Sequence, residues 1–389
     1  MPKNTLSQKS KTKSLSEEAL SLHAKKRGKI EIVSKLSVKN KKDLSLAYTP
    51  GVGAVSMAIA RDKKKRDLYT IRKNTVAVIS DGSAVLGLGN IGPDAAMPVM
   101  EGKAVLFKNL ANIDAFPIVL ASQDPEEIIA TVKNLAPTFG GINLEDIAAP
   151  QCFAVEKALQ KMLNIPVMHD DQHGTAMVVL AGLHNALKVT KKHIAKVNIV
   201  ISGAGAAGQA IAHLLSLAGA KHILIADSQG IISPQRKDLS PSKKELLTYT
   251  NQTGFQGTLK EALVGADVFI GVSQPGVIDR SDIAKMSTKA IVFALANPTP
   301  EITPDEAKAG GAYVVATGRS DYPNQINNAL GFPGIFRGAL DNNVTAITDA
   351  MLVKAAKNLA SVVAKPTREK IVPGVFDKAV VPKVAKAIR

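Results

Sequence analysis

The sequence is poor in cysteine and in aromatic residues: its 389 residues include one cysteine, no tryptophan and 4% aromatic residues. The lone Cys152 excludes a disulfide framework and a cysteine-based metal cluster, and it favours a reducing, cytoplasmic compartment. No apolar run approaches the roughly 18–20 residues that a membrane helix needs, so no membrane partner is expected. The amino terminus lacks the apolar stretch of a secretory signal, which leaves a solvated tail or a transit peptide.

Negative charge is also scarce, with 33 Asp and Glu against 49 Lys and Arg. Such an excess of bases is typical of nucleic-acid-binding proteins. Its distribution argues against that function, because residues 1–45 carry a net +8, residues 350–389 carry +7, and the middle of the chain carries +1. We therefore predict a basic tail over residues 1–14 and keep a nucleic-acid binder as the alternative from a different class.

The apolar pattern indicates an α/β protein with two domains. Residues 15–162 mix helices with strands and are predicted to form an amino-terminal α/β substrate domain. From about residue 165, short β-branched runs such as VNIVIS and HILIAD alternate with helical segments. Near-continuous apolar strands alternating with helices predict a parallel sheet that is covered on both faces. Residues 163–389 are therefore predicted to form a Rossmann-type doubly wound domain with carboxy-terminal helices.

A glycine fingerprint, G-x-G-x-x-G, occurs twice. The first copy, Gly87 to Gly92, is followed by Pro93 and Pro98, so we expect a sharp turn there and no long uninterrupted helix, with a helical stretch only around Pro98–Leu110. The second copy lies between a strand and a helix, and Asp227 ends the next strand. This context predicts a dinucleotide site in which the acid binds a ribose hydroxyl, and the acid favours NAD over NADP. Its residues are Gly203, Ala204, Gly205, Ala206, Ala207, Gly208 and Asp227.

Two pairs of acids follow apolar runs, where a solvated loop is less natural. They are Glu145–Asp146 and Asp170–Asp171. Several carboxylates that converge on one point suit a hard cation, Mg²⁺ or Mn²⁺. His169 and His173 stand four residues apart and invite a zinc interpretation, but a supporting or packing role fits them better.

Lys103 and Tyr48 are open to two interpretations each. Lys103 lies among apolar neighbours, where it could extend to the surface or be held neutral by burial and a nearby cation and act as a general base. Tyr48 precedes a Thr-Pro-Gly turn and could be a packing residue or an acid.

Long motifs in this sequence resemble the malic enzyme family, in its compact bacterial type. They include LSLAYTPGVG, SDGSAVLGLGNIGP, INLEDIAAPQCF, IPVMHDDQHGTA, VFALANPTPEI and GRSDYPNQINNALGFPGIFRGALD. The resemblance implies oxidation of L-malate with NAD(P) and decarboxylation to pyruvate and CO₂ in the presence of Mg²⁺ or Mn²⁺. It also implies at least a homodimer, because the amino-terminal helices of the family commonly contact a second subunit.

The resemblance assigns roles to individual residues of this chain. It implies that Lys103 is the general base and binds substrate, and that Tyr48 is the general acid. It further implies that three acids bind the metal: Glu145, Asp146 and Asp171. It implies that Asn297 and Asn327 contact the substrate, with Asn328 as an alternative to Asn327, and that Asn297 also contacts the cofactor.

Three questions stay open at this point. Larger members of the family have an arginine where this chain has Ala84, so the cation that binds the substrate carboxylate is unassigned and could come from a partner subunit. NADP could replace NAD. A malolactic type, which retains NAD and releases lactate, is the alternative activity.

Overall fold

Two sheets organise the chain, and the computed structural model describes residues 14–85 and 87–389. The predicted basic tail therefore lies, except for Ser14, outside the described residues. The first sheet has the strand order β2-β1-β3-β4, and all three pairings are parallel. Its strands are β1 Thr75–Ser80, β2 Asp114–Val119, β3 Gly141–Leu144 and β4 Val167–His169. Because β4 pairs with β3, this sheet crosses the predicted domain boundary at residues 162–163.

The second sheet has the order β10-β9-β8-β5-β6-β7 and is parallel except for β7, which pairs antiparallel with β6. Its strands are β5 Asn198–Ser202, β6 His222–Asp227, β7 Gly230–Ile231, β8 Val268–Gly271, β9 Ile291–Ala294 and β10 Val314–Thr317. The strand order runs outward in both directions from β5. Ligands bind such sheets where the order reverses, at the carboxyl ends of the strands, here between β5 and β8.

Helices connect these strands and cover the sheets. In chain order they are α1 Leu15–Lys26, α2 Lys41–Ala47, α3 Gly51–Arg61, α4 Arg66–Tyr69, α5 Gly92–Ala111, α6 Pro125–Leu135, α7 Gln151–Met162, α8 Asp170–Thr190, α9 Ala206–Leu217, α10 Pro241–Leu246, α11 Leu259–Ala262, α12 Arg280–Ile283, α13 Pro304–Ala309, α14 Phe332–Asp341, α15 Asp349–Ala360 and α16 Val380–Ala385. The predicted α/β fold class is confirmed, including the doubly wound parallel sheet.

Helix α8 has most of its residues buried, from Asp170 to Thr190. One continuous core includes its apolar residues, residues of both sheets and residues of α14 and α15. The first turn of α8 directly follows β4, so the residues at that junction are held by the core on one side and lie at the carboxyl edge of the first sheet on the other. This junction positions the candidate site.

The structure corrects one local prediction after the first glycine fingerprint. We expected a helical stretch only from about Pro98 to Leu110, but α5 already begins at Gly92 and runs unbroken for 20 residues, with Pro93 in its first turn and Pro98 inside. Proline is tolerated in the first turn because its missing N–H has no helical partner there. At Pro98, the helix continues because the same helix buries Ala96, Met100 and Phe107. Tertiary packing outweighs the local preference.

The amino-terminal helices differ from the rest of the chain in their burial. None of α1 to α4 contains a buried residue. Among the described residues, no helix is both long enough and apolar enough to cross a membrane.

Candidate functional site

Three carboxylates meet at the carboxyl edge of the first sheet. Glu145 and Asp146 directly follow β3, and Asp171 lies in the first turn of α8, directly after β4. Since β3 and β4 are adjacent and parallel, their carboxyl ends share one edge. One oxygen of each carboxylate lies within 4.8 Å of the others, and the Asp146 backbone N–H donates to Asp171 Oδ2 at 2.9 Å. Three hard oxygen donors in this arrangement fit Mg²⁺ or Mn²⁺.

The electrostatics of this cluster also fit a cation. Glu145 is buried, and Asn143 Nδ2 donates to its second oxygen at 2.9 Å. Burial raises the pKa of Glu145 well above its usual value; Lys103 opposes the shift, while the neighbouring aspartates add to it. Like charges that are crowded in a buried place repel each other, and a bound divalent cation would relieve that repulsion.

Lys103 occupies the centre of the site. It lies on the buried face of α5 and is 7% exposed. Its Nζ is 2.7 Å from Glu145 Oε1 and 2.7 Å from Asp170 Oδ2, and it stands 4.3 Å from the centre of the Phe332 ring. Sequence reasoning placed Asp170 beside a candidate ligand but missed that it pairs with this lysine.

The ion pairs bear on the protonation of Lys103. A lysine held neutral by burial and a nearby cation was one of the two expectations. Burial does lower the pKa of Lys103, but Asp170 and Glu145 outweigh it and raise the pKa above its usual value. The two neighbouring acids thus favour the protonated form of Lys103, and a cation bound to the carboxylates would oppose them.

The two histidines lie beside the cluster and are not part of it. Among the described residues, the group that could hold a metal consists of carboxylates only. His173 Nε2 is 3.1 Å from the Glu156 carboxylate, and His169 Nε2 is 3.6 Å from Asp171 Oδ2. The zinc interpretation has no ligand set here, whereas the supporting role fits the contact with Glu156.

The second glycine fingerprint lies between β5 and α9, as the sequence predicts. Gly203 has a φ of +108°, and a Cβ on Gly208 would stand 1.8 Å from the Gly203 carbonyl oxygen, so neither position accepts a side chain without a shift. Ala206 and Ala207 begin α9. A cleft of about 830 Å³ opens above this turn and is lined by Gly203, Ala204, Gly205, Asp227 and Lys243, among others.

Asp227 ends β6 at the edge of this cleft and is bound by two cations. Arg236 donates to both of its oxygens at 2.7 and 3.1 Å, and Lys243 Nζ lies 2.6 Å from Oδ2. Burial opposes ionisation, but these hydrogen bonds lower the pKa of Asp227 to about 2. The contact with Lys243 could not be predicted from the sequence, because it depends on how α10 packs beside β6.

Two family models match the chain in these regions. "Malic enzyme, N-terminal domain" matches residues 27–126 and 119–160, and "Malic enzyme, NAD binding domain" matches residues 172–388. The chain belongs to the malic enzyme family. It is thus an oxidoreductase of that family, in which some relatives are named NAD-dependent and others NADP-dependent.

Individual relatives cover nearly the whole chain. A bifunctional malic/malolactic enzyme of Bacillus subtilis is 53% identical over 96% of this chain and 92% of its own length. An NAD-dependent malic enzyme of Geobacillus stearothermophilus is 54% identical over 93% of this chain and 76% of its own length. The crystal structure of an NAD-dependent malic enzyme from Thermotoga maritima superposes with a TM-score of 0.92, at 49% identity over 95% of this chain and 98% of that one.

The asparagines suggested by the malic enzyme resemblance lie at the carboxyl ends of the second sheet. Asn297 follows β9. A Cβ added to Gly87 would come within 1.8 Å of the Asn297 carbonyl oxygen, so the first glycine turn packs directly against the second domain. Asn327 Oδ1 accepts the backbone N–H of Ala329 at 2.8 Å. Asn328 has its Cβ 3.6 Å from the Cβ position of Gly174, on the first turns of α8. Asn328 thus lies close to the acids of the site.

Two further positions of the malic enzyme motifs are Tyr48, which is exposed, and Ala84, which lies at the carboxylate cluster. The Tyr48 side chain is 68% exposed and makes no hydrogen bond to the described parts of this chain. Ala84 lies at the carboxylate cluster, since its backbone N–H donates to the Asp146 carbonyl at 3.0 Å. The position that carries an arginine in larger members is therefore at the site but offers no cation.

Proposed function

We propose that this malic enzyme catalyses the oxidative decarboxylation of L-malate to pyruvate and CO₂ with reduction of NAD. The observation that carries the proposal is the buried Lys103 between Glu145 and Asp170, beside two further carboxylates, with the dinucleotide fingerprint in the adjoining domain. An oxidation needs a hydride acceptor, a base for the hydroxyl proton and a positive charge near the C2 oxygen. Lys103 would supply the base, the three carboxylates would hold a cation near the C2 oxygen, and a dinucleotide at the fingerprint would accept the hydride.

Glu145, Asp146 and Asp171 would hold the divalent cation. When bound, the cation would supply positive charge for the C2 oxygen and would offset the carboxylate charge that favours protonation of Lys103, and the dinucleotide would supply the hydride acceptor. Lys103, in its neutral form, takes the proton from the C2 hydroxyl, and Asp170 at 2.7 Å is placed to receive it in turn. Asn297 and Asn327, or Asn328 in its place, orient the substrate by hydrogen bonds.

We propose Tyr48 as the acid that protonates C3 after CO₂ has left. Its exposure supports a site that is completed by a second subunit, because an isolated chain leaves this side chain in solvent. Apolar side chains of the same segment support a homodimer or a higher oligomer. More than three fifths of each of these side chains is exposed: Leu15, Leu20, Ile32, Val33, Leu36, Leu46 and Leu68. Light scattering after size-exclusion chromatography tests this; a monomer at assay concentration would contradict it.

NAD is the proposed cofactor, because the Asp227 carboxylate repels the 2′-phosphate of NADP and can bind the ribose hydroxyl of NAD. Arg236 and Lys243 both contact Asp227 and reduce this repulsion, while Arg236 also pairs with Asp238, so two bases face two acids here. NADP is therefore the alternative. Comparing kcat/KM for the two cofactors decides between them, and a higher value with NADP would reverse our assignment.

A malolactic activity is the second candidate, favoured by the Bacillus subtilis relative, which is named a bifunctional malic/malolactic enzyme. In that reaction NAD is retained and lactate is released. Absorbance at 340 nm together with a lactate assay separates the two activities. Consumption of malate with lactate formed and no net NADH would favour the malolactic reaction.

The single buried cysteine supports our further proposal of a cytoplasmic location.

A further inference from the structure

A buried carboxylate on α7 binds both sides of the segment that carries two acids of the site. Glu156 is 5% exposed. Its carboxylate accepts the backbone N–H of His169 at 2.8 Å and Gln172 Nε2 at 3.1 Å, and it lies 3.1 Å from His173 Nε2. Residues 170–171 lie between these partners. One side chain therefore ties down the backbone before the two acids and two side chains after them.

The start of α8 has no capping hydrogen bond from its own N-cap side chain, so a contact from another element has to hold this junction. His169 is the residue before the first turn of α8, and its side chain makes no capping hydrogen bond. Neither ring nitrogen of His169 has a hydrogen-bond partner within the described chain. The free N–H groups at the start of a helix usually receive such a cap. Here Glu156, on the neighbouring helix α7, instead accepts the N–H of His169, the residue before the helix begins.

Packing alone does not account for a glutamate at this position. The buried residues on the same face of α7 are Cys152, Val155 and Leu159, so an apolar side chain would suit the core there. Burial would raise the pKa of Glu156, but the His173 interaction and the N–H of His169 outweigh it and lower the pKa. The group is thus a buried carboxylate whose hydrogen bonds all go to the β4–α8 junction.

We propose that Glu156 is a positioning residue for the metal site: it fixes the β4–α8 junction so that Asp171 stays beside the other two candidate ligands and Asp170 stays against Lys103. Such partners of metal ligands control affinity by setting the direction in which the ligands point. The inference rests on the proposed function, because it presupposes a divalent cation on the three carboxylates.

Manganese binding tests this without turnover. The full chain is titrated with Mn²⁺ in the absence of NAD and malate, and free Mn²⁺ is measured by electron paramagnetic resonance. Glu156→Gln keeps the size of the side chain but replaces one accepting oxygen with a donor. We expect its Kd for Mn²⁺ to rise about 10- to 100-fold. Glu127→Gln, which removes the same charge from an exposed position on α6, should leave the Kd unchanged.

Two companion measurements separate positioning from general damage. The Kd for NAD, measured by calorimetry, should stay within about twofold in Glu156→Gln while the KM for Mn²⁺ rises. Gln172→Met removes one of the three hydrogen bonds at nearly constant volume and should raise the Kd for Mn²⁺ by a smaller factor. If Glu156→Gln does not fold, Gln172→Met carries the test with the same readouts.

The outcomes are distinct. Wild-type affinity for Mn²⁺ in a folded Glu156→Gln protein, or in a folded Gln172→Met protein when the first does not fold, overturns the inference. An equal loss of NAD and Mn²⁺ binding also overturns it, since that result describes a structural role only. Wild-type protein that binds no Mn²⁺, or binds it equally well after Asp171→Asn, contradicts the proposed metal site itself.

Discussion

Gly205→Ala separates cofactor binding from folding at the dinucleotide fingerprint. A Cβ on Gly205 would meet no protein atom within 4 Å, and the residue lies in the extended region before α9, where alanine is allowed. The added methyl group would instead enter the cleft where the pyrophosphate of NAD is expected to lie. A methyl group forced into an occupied space costs about 1–3 kcal/mol, which corresponds to about a 5- to 150-fold rise in the Kd for NAD.

Calorimetric titration with NAD measures this effect, and thermal unfolding without NAD measures the stability. We expect the free energy of unfolding to change by less than about 1 kcal/mol. Gly208→Ala provides the contrast, because its Cβ would stand 1.8 Å from the Gly203 oxygen and should impair folding as well as binding. Gly374→Ala, at an exposed position where an added Cβ would also meet no protein atom within 4 Å, is the matched control. Wild-type affinity for NAD in Gly205→Ala would refute the assignment of this turn.

Three further sets of variants test the base, the choice of cofactor and the pH dependence of stability. Lys103→Ala should lower kcat about 10²- to 10⁴-fold and leave NAD binding intact. Lys108→Ala, at an exposed position on the same helix, should change neither quantity. Near-normal turnover of Lys103→Ala would refute the assignment of Lys103 as the general base. Lys243→Gln should lower kcat/KM for NADP relative to NAD at least tenfold, as a hydrogen bond to a charged group is worth about 1.5–3 kcal/mol, and an unchanged ratio would count against a cofactor contact. Burial and two nearby lysines lower the pKa of His184 to about 4. Between about pH 6.5 and 4 the unfolded chain binds more protons there, so stability falls as the pH falls, by up to about 3 kcal/mol. Denaturant titrations of His184→Gln should show a shallower decline than wild type or exposed His222→Gln, and equal slopes would contradict the assignment.

The sheets could be predicted from the sequence because their strands are buried on both faces. β5 and β8 to β10 are runs of apolar residues without exposed positions in their interiors, and such runs carry a strong signal. Helix α5 could be predicted only in part: the stretch around Pro98–Leu110 was expected to be helical, but Pro93 and Pro98 are local signals for a break before it. Its continuation depends on a face that packs against strands and helices far along the chain.

The carboxylate cluster was partly predictable for a topological reason. Acids that follow adjacent parallel strands must meet at one edge, so the two pairs of acids, Glu145–Asp146 and Asp170–Asp171, could be expected close together. The narrower set of Glu145, Asp146 and Asp171 is implied only by the family resemblance. The partner of Asp170 could not be, because Lys103 reaches it from a helix whose rotation is set by the core. The same holds for Lys243 at Asp227, since short-range patterns do not report how α10 lies against β6.

Production of NADH and pyruvate from L-malate, with and without a divalent cation, tests the central claim most directly. Protein treated with EDTA and returned to buffer should show no increase in absorbance at 340 nm with NAD and malate. Addition of Mn²⁺ or Mg²⁺ should restore it, with one pyruvate formed for each NADH, and Asp171→Asn should fail to respond at the same concentration of metal. Full activity in the presence of chelator would contradict the account.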